Sequence, residues 1–132
     1  MLLKQVSIFT ENKVGYISNI VNLLGNAGIN IRSLQIADSS DFGILRLIVD
    51  DYQKALDLAY KEGYTARVTD VVGVIVPDKP NGLSEVLQIL ANNDIDIDYM
   101  YVFVGKSNAG AQAILKTQDI QKTEQVLLNN CL

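Results

Sequence analysis

The sequence predicts an α+β fold that is duplicated within one chain of 132 residues. Two observations support this prediction: an internal repeat, and the order strand, helix, strand, strand, helix, strand, which the second copy follows up to its second helix. The length allows one ordinary domain or two very small ones. Apolar residues make up 48% of the chain, which is typical of folded globular proteins.

The repeat relates two segments that align without a gap, 66 positions apart. Lys13–Ile31 reads KVGYISNIVNLLGNAGINI, and Lys79–Ile97 reads KPNGLSEVLQILANNDIDI. Six positions are identical, and they include residues of the flanking loops as well as helical apolar positions. Similarity at a fixed period indicates a repeated structural unit.

The first copy is predicted to contain two helices among four strands. Apolar residues at i, i+3, i+4 and i+7 from Ile17 indicate the first helix, which Gly28 ends. Asp50 or Asp51 can cap the second helix, and a polar turn at residues 38–41 joins the middle strands. The strands, marked by alternating or continuous apolar residues, are Leu2–Thr10, Ile29–Ala37, Phe42–Val49 and Tyr64–Thr69.

The second copy repeats this order up to its second helix. Pro80 stands at an early position of the first helix, where its missing N–H costs nothing. Thr117 or Asp119 opens the last helix, and no fourth strand follows it before Leu132. Truncation, a missing tail and completion by a strand of another chain are all open as explanations. The predicted strands of this copy are Val71–Val76, Asp94–Val104 and Gly110–Leu115.

Two βαββαβ patterns predict two ferredoxin-like units, each with an antiparallel sheet and helices on one of its faces. We place the domains at residues 1–69 and 70–132, the second lacking a fourth strand of its own. The run Tyr64–Val76 is near-continuously strand-like, so no linker separates the copies. Because a unit of this size is marginal alone, burial between units or between chains should contribute to stability.

The composition excludes several classes of function. The net charge is −4 and no basic face is visible, which argues against nucleic-acid binding. The chain has no histidine and a single cysteine, Cys131, so we expect no catalytic residues, no metal and no cofactor. No apolar run approaches the roughly 18 residues of a membrane span. The single cysteine fits a reducing, cytoplasmic compartment.

The run Asp94–Asp98 (DIDID) begins like a calcium-binding loop. Such a loop needs glycine at its sixth position and glutamate at its twelfth. The sequence has Tyr99 and Gly105 there, so we expect a strand with outward aspartates instead.

Two stretches of each copy resemble the sequence motif of ACT domains, regulatory modules named after aspartate kinase, chorismate mutase and prephenate dehydrogenase. The first copy has ENKVGYI at residues 11–17 and GINI at residues 28–31. The second has DKPNGL at residues 78–83 and DIDI at residues 94–97. The chain departs from the usual motif at Val14 (usually Pro), Asn81 (usually Gly) and Asp96 (usually Asn). The resemblance implies a βαββαβ fold, binding of an amino acid between paired domains, and no catalytic domain.

Physical chemistry gives an independent reason to expect a ligand at the loop before the first helix of each copy. The first N–H groups of a helix lack partners within it and attract a carboxylate. Asn12 offers a donor and an acceptor, and the carboxylate of Asp78 can hold an α-amino group. Gly15 and Gly82 permit close approach of a ligand or a neighbouring backbone. The candidate ligand-binding residues are Glu11, Asn12, Gly15, Tyr16, Ile17, Asn30, Ile31, Asp78, Asn81, Gly82, Leu83, Asp96 and Ile97.

Geometry separates these residues within one copy. A helix of about 11 residues places Asn12 roughly 17 Å from Asn30. We therefore predict two crevices between oppositely oriented copies, one joining Asn12 to Asp96 and the other joining Asp78 to Asn30.

The sequence favours a non-catalytic regulatory module that binds a small amino acid or related metabolite. A ligand-free assembly module is the first alternative. A small α+β enzyme is the second, disfavoured because no acid–base pair with an activated nucleophile can be named. Open sheet edges invite strand pairing, so we also expect a homodimer formed through sheet edges.

Overall fold

The computed structural model describes residues 2–38, 42–104 and 110–132; residues 39–41 of the predicted polar turn lie outside these ranges. The order of strands and helices confirms the predicted fold class, with repeated βαββαβ-like units. The elements are β1 (Leu2–Glu11), α1 (Tyr16–Asn26), β2 (Ile31–Asp38), β3 (Phe42–Val49), α2 (Tyr52–Lys61), β4 (Thr65–Val76), α3 (Gly82–Asn92), β5 (Ile97–Val104), β6 (Ala111–Thr117) and α4 (Ile120–Asn129).

Several strand boundaries differ from the sequence prediction. The two strands predicted on either side of residue 70 form one continuous strand, β4. Strands β2 and β5 begin two and three residues later than predicted, because the preceding helices use those residues to close their last turn. The N–H of Ile29 donates to the carbonyl of Leu24, and the N–H of Ile95 donates to that of Leu90, each at 3.0 Å.

The first compact unit comprises Lys4–Thr69, with the strand order β2-β3-β1-β4. Strand β3 pairs antiparallel with both β1 and β2, and Val6 stands opposite Leu47. Alternate residues of the strands face the helices and form one core with them. Its buried members are Val6, Ile8, Ile20, Leu24, Ile29, Leu45, Leu47, Ala55, Ala59 and Ala66.

The second compact unit comprises Asp70–Leu132 together with the first residues of β1. Its strand order is β4-β6-β5, and β6 pairs antiparallel with both neighbours. The Leu3 side chain lies against Gly73 of β4, so the start of β1 stands where a fourth strand would lie. The buried core is Val72, Val74, Val76, Val86, Leu90, Ala111, Ala113, Leu115 and Leu127.

The backbone conformation repeats between the two units even at positions where the residue type differs. Left-handed residues occur in pairs before the first helix, after it, and after the second helix of each unit. The first two pairs are 66 residues apart and the third is 68 apart, so two extra residues lie between the start of β5 and the end of α4. The pairs are Gly15 and Asn81 (φ 86° and 68°), Gly28 and Asp94 (φ 78° and 55°), and Gly63 and Cys131 (φ 84° and 62°).

In the turn that leads into α3, the backbone of Gly82 lies very close to the backbone of Pro77. The N–H of Lys79 donates to the carbonyl of Pro77 at 2.9 Å, and the N–H of Gly82 donates to that of Lys79 at 3.0 Å. A Cβ atom on Gly82 would lie 2.1 Å from the Pro77 carbonyl oxygen. Any side chain at this position therefore requires the backbone of the turn to move.

We expect Gly82→Ala to lower the free energy of unfolding by about 1–3 kcal/mol, the range for overpacking against a rigid neighbour. Gly25→Ala is the matched control, because a Cβ on Gly25 in α1 meets nothing within 4 Å. That control should be neutral or stabilising by up to about 1 kcal/mol, since alanine favours the helix. Urea unfolding of the three proteins measures both effects. Equal stabilities of the wild type and Gly82→Ala would show that the turn opens freely.

Candidate functional site

The candidate residues lie in two kinds of loop at opposite ends of a helix. We call residues 11–16 and 78–82 the front loops, which precede α1 and α3, and residues 28–31 and 94–97 the rear loops, which follow them. Helix α1 has 11 residues, equivalent to roughly 17 Å. Each unit by itself therefore keeps its front loop and its rear loop apart, in agreement with the spacing that the sequence predicts.

The helices after the front loops start differently from the other two. Gly15 and Asn81 occupy the N-cap positions of α1 and α3 in left-handed conformation, and neither makes a side-chain cap hydrogen bond. Helices α2 and α4 begin at Asp51 and Asp119, whose carboxylates each accept a backbone N–H at 3.1 Å. Among these four helices, the two that follow the front loops thus leave their first N–H groups without a side-chain cap.

Asn12 is bonded within the first unit. Its amide nitrogen donates to Oδ1 of Asp38, at 2.5 Å, and to the carbonyl of Phe42 at 3.4 Å. A ligand carboxylate at Asn12 would therefore compete with Asp38 for the same donor. Sequence reasoning missed Asp38, which is 26 positions away and belongs to a strand end.

An exposed ion pair stands in the same front loop. Nζ of Lys13 lies 2.7 Å from the Glu11 carboxylate. The hydrogen bond to Glu11, and then its charge, raise the pKa of Lys13 above its ordinary value. The loop therefore keeps a cation beside the uncapped start of α1 throughout the physiological pH range.

Five of the candidate side chains pack against a core rather than pointing freely into a loop. Tyr16 also contacts Tyr64 edge-to-face, with ring centroids 6.2 Å apart. These side chains support the loops from the side of the core. Their apolar surface packs against the core of each unit. The five are Tyr16, Ile17 and Ile31 in the first unit and Leu83 and Ile97 in the second.

The front loop of the second unit exposes Asp78 to solvent. Asn81 stands at the same structural position as Gly15, and the buried Gly82 is the first residue of α3. The close approach that glycine permits here is to the Pro77 backbone, one of the two uses predicted for it.

The rear loop of the first unit is tied to the end of β3. The N–H of Asn30 donates to Oδ1 of Asp50 at 3.1 Å, and the N–H of Asp50 donates to the carbonyl of Asn30 at 3.2 Å. From the sequence alone, Asp50 and Asp51 are alternative N-cap residues for α2. In the structure Asp51 caps the helix, and Asp50 binds the rear loop.

The rear loop of the second unit borders a cavity of about 320 Å³. The cavity brings carboxylates together with one lysine, so it offers partners for both charged groups of a zwitterion. Asp98 does not line this cavity. Its carboxylate accepts from Gln118 at 2.9 Å and 3.1 Å and from Lys116 at 3.5 Å. The lining residues are Asp94, Ile95, Asp96, Thr117, Gln118, Asp119 and Lys122.

Metal chemistry finds no support in the described part of the chain. Residues 2–38, 42–104 and 110–132 contain no group of three or more histidine, cysteine, aspartate or glutamate side chains able to hold an ion. None of the helices there is long and apolar enough to span a lipid bilayer.

Two units with this order of elements, each with an uncapped helix after its front loop, define a tandem of ferredoxin-like domains. The chain belongs to the ACT domain pair family, which matches residues 1–132. The resemblance drawn from residues 11–17, 28–31, 78–83 and 94–97 is thereby confirmed.

Comparison with individual proteins agrees with this assignment. Protein BT0572 from Bacteroides thetaiotaomicron is 37% identical, with a TM-score of 0.90, over 98% of this chain and 89% of that chain. The ligand-free regulatory subunit of aspartate kinase from Thermus thermophilus shares the fold, with a TM-score of 0.67 at 14% identity over 96% of this chain and 91% of that chain. The acetolactate synthase small subunit of Buchnera aphidicola subsp. Baizongia pistaciae (strain Bp) is 28% identical over 94 residues, 69% of this chain. The match spans 58% of that subunit, so the chain corresponds to somewhat more than half of it.

We expect Asp50→Ala to loosen the rear loop of the first unit. The Asn30 N–H loses its acceptor, so hydrogen exchange at Asn30 should accelerate, and the free energy of unfolding should fall by about 0.5–1.5 kcal/mol. Asp57→Ala, an exposed aspartate of α2, is the control and should leave exchange at Asn30 unchanged. Unchanged exchange in Asp50→Ala would mean that Asp50 does not hold this loop.

Proposed function

We propose that this chain is a non-catalytic regulatory module that binds a small amino acid or a related metabolite. The observation that carries the proposal is the absence of side-chain caps on α1 and α3 beside capped starts on α2 and α4. A helix start without a side-chain cap and the positive end of the helix dipole suit the α-carboxylate of an amino acid.

The proposed site assigns different groups of the ligand to different loops. The backbone at Gly15 and Asn81 offers donors for the α-carboxylate. The carboxylates of Asp78 and Asp96, both exposed, suit the α-ammonium group. Asn12 contributes by exchanging its bond to Asp38 for one to the ligand. The remaining proposed contacts, which supply loop shape and apolar surface, are Glu11, Tyr16, Ile17, Asn30, Ile31, Asn81, Gly82, Leu83 and Ile97.

Two relatives are named as subunits of enzymes, which supports a role beside a partner enzyme. One is named the regulatory subunit of aspartate kinase, and the other is named the small subunit of acetolactate synthase. We propose that this chain likewise acts on a partner enzyme, without activity of its own, and that ligand binding alters how its domains pack with that partner. A cytoplasmic location belongs to the same proposal.

The front and rear loops of one unit lie too far apart to hold one small ligand together. We therefore retain, as part of the proposal, the pairing of Asn12 with Asp96 and of Asp78 with Asn30 in paired ACT domains. Mutagenesis of the two front loops tests this pairing.

A homodimer through sheet edges is supported by strand β2. This strand lies at the edge of its unit, and its Leu34 and Ile36 side chains are 41% and 51% exposed. Open edges with apolar side chains favour association with another strand. The same observation favours the second candidate function, an assembly module that needs no ligand.

We expect one or a few of the twenty amino acids to give heat in calorimetric titration of the wild type. In the variant Asn12→Ala/Asp78→Ala the affinity should fall at least tenfold, because both front loops lose a ligand partner. The control Asn22→Ala/Asp57→Ala changes the same residue types on exposed helix positions and should bind as the wild type does. Equal heats from all three proteins would exclude the front loops as the site.

Sedimentation and thermal melting separate the two candidate functions. A regulatory module melts at a higher temperature when its amino acid is added. An assembly module instead becomes more stable as protein concentration rises and responds to none of the twenty amino acids.

A further inference from the structure

A cavity of about 220 Å³ opens within the first unit, at the same end as its front loop. Four of its eight lining residues are aromatic, although the whole chain has only six tyrosines, three phenylalanines and no tryptophan. Such a concentration cannot come from composition alone. The lining residues are Phe9, Thr10, Glu11, Tyr16, Phe42, Gly63, Tyr64 and Thr65.

The aromatic walls are held by contacts with the rest of the unit. The ring of Tyr16 meets that of Tyr64 edge-to-face at an interplanar angle of 75°. The guanidinium carbon of Arg67 lies 5.0 Å from the centroid of the Phe9 ring, within the range of a cation–π contact. Phe42, which also lines the cavity, is 61% exposed.

Size and chemistry suit one aromatic ring. A cavity of about 150 Å³ in a protein core suffices for a benzene molecule, so 220 Å³ admits a phenyl or phenol group with its methylene. Aromatic rings pack favourably edge-to-face or offset against other rings. The rings of Tyr16 and Tyr64, which pack against the core of the first unit, and the exposed ring of Phe42 offer such contacts here, whereas one face of the Phe9 ring is covered by Arg67. Thr10 and Glu11 add polar groups to the lining, beside the front loop.

The second unit does not repeat these walls. Its backbone follows that of the first unit with the offsets of 66 and 68 residues described above, which identifies the equivalent positions. Every aromatic wall residue of the first unit is replaced by glycine or an aliphatic residue in the second. The equivalent positions are Ile75 for Phe9, Gly82 for Tyr16, Gly110 for Phe42 and Leu132 for Tyr64.

We propose that the amino acid bound by this chain has an aromatic side chain and that this side chain occupies the cavity of the first unit. The inference rests on the proposed function, because Glu11 and Tyr16 belong both to the cavity wall and to the front loop that would hold the α-carboxylate. It goes further by naming the ligand class and the stoichiometry, one aromatic amino acid per chain.

Calorimetric titration with phenylalanine, tyrosine, leucine, lysine and aspartate tests the ligand class. We expect phenylalanine or tyrosine to bind at one site per chain and at least tenfold more tightly than the other three. Phe42→Ala and Tyr64→Leu should each weaken that binding at least fivefold. Tyr52→Leu, an exposed tyrosine of α2 outside the cavity, is the matched control and should change the affinity less than twofold. A thermal melt of each variant shows that it remains folded.

A ligand without the amino acid backbone separates this inference from the proposed function. Binding of 4-fluorophenol, followed by ¹⁹F NMR, reports on the cavity alone and should be lost in Phe42→Ala. If a non-aromatic amino acid binds as tightly as phenylalanine and tyrosine or more tightly, or if two equal sites per chain appear, the inference is overturned while the proposed function stands. If 4-fluorophenol binds and no amino acid does, the cavity accepts an aromatic ring, but the proposed function and the inference that rests on it are both overturned. If neither binds, both are overturned.

Discussion

The candidate site depends on the left-handed residue at the start of α1 and α3. A residue that caps a helix with its side chain normally has φ in the extended region, where its oxygen can reach the N–H groups of the first turn. Gly15 and Asn81 have positive φ, and neither forms a cap. Asn81 is informative because asparagine is among the best N-cap residues, yet its conformation prevents it from capping. Backbone conformation, and not residue type, therefore leaves these two helix starts without a side-chain cap.

The contrast with α2 and α4 strengthens this argument. Asp51 and Asp119 have φ of −132° and −113°, and their carboxylates accept from Lys54 and Lys122. The same chain thus builds two kinds of helix start, and each kind recurs at the equivalent position of the other unit. At α2 and α4 a ligand carboxylate would meet a capping carboxylate that is already bound to the first turn, whereas at α1 and α3 no side chain caps the helix start.

Local pattern predicted the strands, the helices and the duplication, because apolar periodicity and turn residues act over a few positions. It misplaced the starts of β2 and β5, because the N–H groups of Ile29 and Ile95 donate to the last turn of the preceding helix. It could not find the partners inside the loops, since Asn12 with Asp38 and Asn30 with Asp50 lie 26 and 20 positions apart. Contacts of that kind arise only when the chain has folded.

The aromatic cavity also could not be predicted from local sequence pattern. Its four rings are contributed by β1, α1, β3 and the turn before β4, so no window of sequence contains them together. Once the fold supplies equivalent positions, the comparison between units becomes meaningful. The left-handed starts are retained in both units, while the side chains around them diverge from aromatic in one to glycine and aliphatic in the other. In the proposed site, recognition of the carboxylate resides in the backbone and selection among amino acids resides in side chains. A duplicated fold can then keep carboxylate recognition by the backbone in both copies. Its side chains can change the selection among amino acids in one copy without loss of structure.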